Sequence, residues 1–109
     1  MISRQVYVDS AAKIRKWARK PNPYITFGAR LPDYSTHSLT EMDKDDIDFD
    51  DLLDTLRAPT VTAINDVDGE SRHQVEGKNV DGREFVFIVN LLDEREEIEI
   101  VTAWAKDRR

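Results

Sequence analysis

Two histidines are the only side chains in this 109-residue chain that exchange a proton near neutral pH without a large shift. There is no cysteine, so neither a thiolate nucleophile nor a thiolate metal site is available. His37 is followed four residues later by Glu41, which on a helix stands one turn away on the same side. A carboxylate so placed can orient or charge an imidazole. His73 directly follows Arg72. The guanidinium groups of Arg72 and Arg83 can grip a phosphate, and the rings of Trp104 and Tyr24 can stack on a base. Each also has a plainer reading: His37 as a helix-start residue bonded to its neighbours, His73 as an ordinary cross-strand residue, Arg83 as a turn-flanking arginine, Trp104 as buried against the first helix. Asp43, Asp45, Asp46, Asp48, Asp50 and Asp51 lack the glycine and the ligand spacing of a calcium loop, and read as a solvated, helix-capping face. No metal and no cofactor is expected.

The elements that must position these residues follow from periodicity. Tyr7, Ala11, Ile14 and Ala18 form one apolar stripe, widened by Val6 and Trp17, and the spacing predicts a first helix over Ser3–Arg19. Ser3 is its expected cap, and Pro21-Asn22-Pro23 ends it. A short extended piece, Tyr24–Phe27, and a loop, Gly28–Asp33, come next. Tyr34–Asp43 reads as a second helix capped by Ser35 or Thr36, with Leu39 and Met42 inward. Asp48 caps a third over Phe49–Arg57, whose buried face is Phe49, Leu52, Leu53 and Leu56.

The remainder reads as strand. Thr60–Asn65 and Arg72–Val80 flank a turn that contains Asp-Gly, and Asp81-Gly82 leads into Arg83–Leu91. That run is apolar at almost every position and is expected at the sheet centre, covered on both faces. Glu97–Ala103 begins in strict alternation, which predicts one wet and one buried face. A two-residue turn at Asp81-Gly82 puts Arg72, Gln74 and Glu76 on the face of Phe85 and Phe87, and a three-residue turn puts His73 and Val75 there. Both registers remain open at this point. The expected fold class is α+β: three N-terminal helices packed on a four-stranded antiparallel meander, in one domain over 1–109, with a basic helix over 1–20 and a core over 24–109.

The net charge of −6 argues against indiscriminate nucleic-acid binding. The distribution is uneven: Met1–Pro32 carries +6, Asp33–Ala58 carries −7 and Pro59–Arg109 carries −5. The basic start suits RNA or an acidic partner segment, or else it simply lies on the acidic helix. No apolar run approaches the ~20 residues of a membrane span, and no apolar signal core opens the chain, so a cytoplasmic protein is expected.

The stretch from Ile25 to Trp104 resembles a family of small bacterial proteins related to the RelE-like toxins. The resemblance rests on His37-Ser-Leu-Thr-Glu41-Met42, Asp45-Asp46-Ile47, Leu56-Arg57, the hairpin Gly77 to Asp81-Gly82-Arg83, and the closing Ile98-Glu-Ile-Val-Thr-Ala-Trp104. It implies a RelE-like fold, a cognate antitoxin as partner and an RNA substrate cut by its own 2′-hydroxyl. His37 coincides with the histidine of the family motif and is the expected principal acid–base residue; the residue types themselves add Glu41 beside it, His73 as a second acid–base candidate, and Arg72, Arg83 and Trp104 as RNA contacts. Many relatives carry arginine one and two turns after the histidine, where this chain has Glu41 and Asp45. The competing expectation is a binding module of the same fold without an active site.

Overall fold

The computed structural model describes residues 4–28 and 37–107. Its elements are α1 (Arg4–Ala18), β1 (Tyr24–Thr26), α2 (His37–Lys44), α3 (Phe49–Arg57), β2 (Thr60–Val67), β3 (Glu70–Lys78), β4 (Glu84–Leu92) and β5 (Glu97–Ala105). The expected caps Ser3, Ser35 and Thr36, the Tyr34 helix start, the loop after Gly28 and the end of the basic tail lie outside the described residues.

The expected four-stranded meander is corrected. The sheet has five strands in the order β1-β5-β4-β3-β2, and β1 runs parallel to β5, with Ile25 opposite Ile98. Nor do all the helices precede the sheet, because β1 lies between α1 and α2. Three residues are too few to show an alternation, and a parallel partner is remote in sequence. β4 occupies the middle of the sheet.

One face of the sheet carries the core. Phe85, Phe87 and Val89 of β4, Ile98, Ile100, Ala103 and Ala105 of β5, and Val75 of β3 pack with Ala11, Ile14, Trp17 and Ala18 of α1 and Leu52 and Leu56 of α3. Two bulges keep the apolar residues on this face. Val89 opposes Ile100 while Ile88 opposes Thr102, so Val101 is the extra residue that changes the phase of β5. The same device at Thr62 lets Val61 and Ile64 both face the core. Gly77 has a packing reason: a Cβ there would stand 2.9 Å from Thr55 Cγ2 and 3.2 Å from Thr55 Cα.

α3 begins in a full capping box, in which the Asp51 amide donates to the Asp48 carboxylate and the Asp48 amide to that of Asp51. Its buried line is Leu52, Thr55 and Leu56, while Phe49, in the first turn, is exposed. In α2 the inward residues are Ser38 and Met42, and Leu39 faces out. The helices α1 and α3 cap each other. Arg19 Nε and Nη2 donate to the Arg57 carbonyl at 3.1 and 2.9 Å, and Arg57 Nε donates to the Ala18 carbonyl at 3.0 Å. Lys13 pairs with Asp93 at 2.7 Å, and Lys20 pairs with Glu96, both acids of the β4–β5 turn. The basic first helix is therefore matched to that turn and to helix-end carbonyls rather than to the acidic face of α3.

The expectation of a wet face on β5 is also corrected. Glu97 and Glu99 are 3% and 0% exposed. β5 lies between β1 and β4, so its polar side chains have neighbours on both sides: Thr26 Oγ1 donates to Glu97 at 2.5 Å, and Asn90 Nδ2 donates to Glu99 at 3.1 Å. No helix among the described residues is long and apolar enough to cross a membrane.

Candidate functional site

The β3–β4 loop decides where the candidate residues go. The Asn79 amide donates to the Arg83 carbonyl at 3.0 Å, leaving Val80, Asp81 and Gly82 as a three-residue loop. Gly82 takes φ +84, the left-handed conformation this loop requires. Val75 then stands opposite Phe87 and His73 opposite Val89, so His73 shares the core face. Arg72 points to the other side, opposite Asn90. Of two adjacent candidates, each serves a different face.

His73 lines a cleft of about 450 Å³ between α1 and the β2–β3 turn, together with Ser10, Lys13, Glu70, Ser71 and Asp93. The ring is 8% exposed. Its Nδ1 lies 3.0 Å from the Ser71 carbonyl, which can only accept, so Nδ1 carries the proton and Nε2 keeps the lone pair. Burial pushes His73 below the ordinary histidine range; the Ser71 carbonyl opposes this, Lys13 adds to it and Asp93 opposes it. A neutral imidazole of fixed tautomer is suited to accept a proton. The neighbouring Lys13 ammonium is engaged by Asp93 and lies 5.7 Å over the Trp17 ring.

The face opposite the core holds a row that runs across all five strands: Asn65, Arg72, Asn90, Glu99 and Thr26. Asn90 is buried, and among the described residues its Oδ1 accepts no hydrogen bond and Arg72 Nε donates none. Trp104 lies on this same face, opposite Val86 and half-buried, and not against the first helix. Asn90 stands between Arg72 and the buried Glu99, and a carboxylate in the same row makes it a poor cradle for phosphate.

His37 opens α2 as an exposed residue, and Glu41 is one turn on, half-buried and 3.8 Å from Lys44 Nζ. α2 packs against β5, two strands away from β3. Asp45 accepts from the Ala105 amide at 2.8 Å and so ties the end of α2 to the end of β5.

Arg83 is a clip. Its Nη2 and Nη1 donate to the carbonyls of Asp45 and Asp46 at 2.5 and 2.6 Å, and its Nε lies 3.0 Å from Asp107. The Asp107 hydrogen bond holds its pKa above the ordinary arginine value. The guanidinium also lies 5.2 Å from the Phe85 ring centroid. Every edge of the fork that would meet a phosphate meets the protein instead.

The six candidates thus fall in four places: His37 and Glu41 on α2, His73 in the α1 cleft, Arg72 and Trp104 on the opposite sheet face, and Arg83 in the clip. Asn90, an amide inside an apolar run, was not singled out from sequence, and Lys13 was legible only as one of several helix cations suited to an acidic partner. Among the described residues no group of three or more histidines or carboxylates could hold a metal ion. No protein-family model, curated protein or solved structure matches the chain.

Proposed function

We propose that this chain is a protein-binding module, the partner-gripping half of a toxin–antitoxin-like pair, and that it does not cut RNA. The observation that carries the reading is the dispersal of the chemistry. In-line attack by a 2′-hydroxyl needs a base, a cation on the phosphorane and an acid within a few ångströms of one phosphate. Here His73 and Arg72, adjacent on β3, stand on opposite faces of the sheet, and Arg83 is engaged in a structural clip. The overall charge of −6 supports a protein partner over a polyanion. The module works in the cytoplasm on this reading, which suits a chain with no cysteine.

The resemblance to RelE-like toxins keeps a second reading in play, and one observation favours it. The neutral, tautomer-fixed His73 and the Lys13 ammonium line one cleft, so that a proton acceptor and a cation share a wall. On this reading His73 takes the 2′-hydroxyl proton, the 2′-oxygen bonds to phosphorus as the bond to the 5′-oxygen breaks, that oxygen takes a proton from solvent, and Lys13, released from Asp93, meets the phosphate. His37 with Glu41 remains the alternative acid–base pair.

Induced expression followed by mapping of transcript ends separates the readings. The binding module leaves transcripts intact and growth unaffected, and the product of an adjacent small gene co-purifies with it. Transcript cleavage by the wild type overturns it. Loss of cleavage by about 10²–10⁴ in His73→Ala then places the chemistry in the cleft, and the same loss in His37→Ala places it on α2.

A further inference from the structure

We infer that the groove between α1 and the outer strand β2 is the partner-binding surface, and that its occupant is an extended, acidic segment of a partner protein added to the β2 edge. This rests on the binding-module reading and names the kind of partner that the module takes. Three observations carry it.

The first is the fate of the basic residues of α1. Lys13 is held by Asp93 and Arg19 by the Arg57 carbonyl, and Lys20 beyond the helix is held by Glu96. The side chains of Arg4 and Arg15, like that of Lys16, make no hydrogen bond or ion pair among the described residues. Both line one groove of about 400 Å³, whose other walls include Tyr7, Val8, Pro59 and Val61. Two guanidinium groups flanking an aliphatic floor suit a chain that carries carboxylates and apolar side chains together.

The second is the edge. Among the described residues β2 pairs only with β3, so its other side offers backbone donors and acceptors as a template for an added strand. The bulge at Thr62 interrupts the pairing, and Ala63–Val67 continues in regular register. The third is exposed apolar surface on the helix wall: Val8 is 52% exposed. A strand lying along β2 turns every second side chain toward α1, so carboxylates at alternate positions meet Arg4 and Arg15 on either side of Val8. Single-stranded RNA fits less well. The groove offers one ring, Tyr7, for stacking and an aliphatic floor, within a molecule of net charge −6.

The test uses the full chain, isotope-labelled, and three probes: a capped hexapeptide alternating glutamate and valine, its lysine-for-glutamate counterpart, and hexauridylate RNA. The glutamate peptide is expected to produce saturable shifts at the amides of Thr60–Val67 and of Arg4 and Val8, and to slow hydrogen exchange along β2. Arg15→Glu and Arg4→Glu should each weaken binding by about tenfold or more, since each sets like charges together. Arg4→Glu places a carboxylate at a helix start, where the dipole favours it, so this variant keeps the fold. The inference is overturned if the glutamate peptide does not saturate or if the lysine peptide binds equally. It is also overturned if hexauridylate alone shifts the β2 amides, or if both charge reversals leave binding unchanged. Transcript mapping tests the binding-module reading and the peptide titration tests the groove, so either can fail alone.

Discussion

Two hairpins in this molecule turn on the same dipeptide and turn differently. At Asp68-Gly69 both residues take positive φ, 52 and 80, and Val67 pairs directly with Glu70, the two-residue primed turn that Asp-Gly favours. At Asp81-Gly82 only Gly82 has positive φ, and the loop is one residue longer. The difference lies in a neighbour. Asn79 Oδ1 accepts from the amides of Asp81 and Arg83 at 3.0 and 2.9 Å, and its Nδ2 donates to Asp51 of α3 at 3.0 Å. A side chain that substitutes for a backbone acceptor and is itself anchored to a helix lengthens the turn. One residue of loop then reverses every side chain of β3: Val75 and His73 face the helices, and Arg72, Gln74 and Glu76 face away.

The sharpest way to break this comparison is to invert the two sides. Val75→Asp buries an unpaired carboxylate in the core and should cost more than about 4 kcal/mol, while Gln74→Val, one residue away on the other face, should change stability by less than about 1 kcal/mol. Urea unfolding of the pair measures the asymmetry, and equal losses would mean that the register is wrong.

Gly77 tests the same register from the α3 side. Gly77→Ala brings a Cβ within 2.9 Å of Thr55 Cγ2 and 3.3 Å of the Thr55 carbonyl. Overpacking of this kind should cost about 2 kcal/mol. Thr55→Ser in the same chain removes one of the colliding groups and should recover part of it. A Gly77→Ala variant as stable as the wild type would place α3 elsewhere.

A smaller effect is expected at the loop itself. Asn79→Ala deletes two hydrogen bonds to the turn and one to α3, a loss of about 1–2 kcal/mol. The same change at Ser71, beside the other hairpin, removes one exposed bond to Asp66 and should be nearly silent. Hydrogen exchange at Gly82 and Arg83 should quicken only in the first variant; unaltered exchange would leave the longer turn without its cause.

The smallest effect is in pH. Burial holds His73 below its ordinary value, so the unfolded chain binds its proton more readily than the folded one. Stability therefore falls as pH drops through the unfolded histidine value of about 6.5 and stops falling once the folded group protonates as well. His73→Gln should flatten this step between neutral pH and the carboxylate range, as read by melting temperature across pH. A step of the same size in the variant would assign it to another group.

Much of the local architecture was legible in the residues alone. The cap at Asp48, the apolar stripe of α1 and the continuous apolar run of β4 are set by interactions within a few residues, and the structure carries all three. So were both Asp-Gly turns as places where the chain reverses. Of the candidate site, residue types were legible and their grouping was not. Arg83 was recognisable as the arginine of a hairpin motif, but the carbonyls of Asp45 and Asp46 that it binds belong to another part of the chain.

What only the tertiary structure decided is the set of choices that couple distant segments. A three-residue strand became the parallel partner of β5 because the sheet edge offered it hydrogen bonds. Glu97 and Glu99 look like solvent-facing alternation, yet they are buried because Thr26 and Asn90 stand beside them. His73 rather than Arg72 faces the helices because Asn79, anchored to Asp51, lengthens the turn by one residue. In each case local spacing specifies which side chains alternate, and a hydrogen bond to a remote residue specifies toward what.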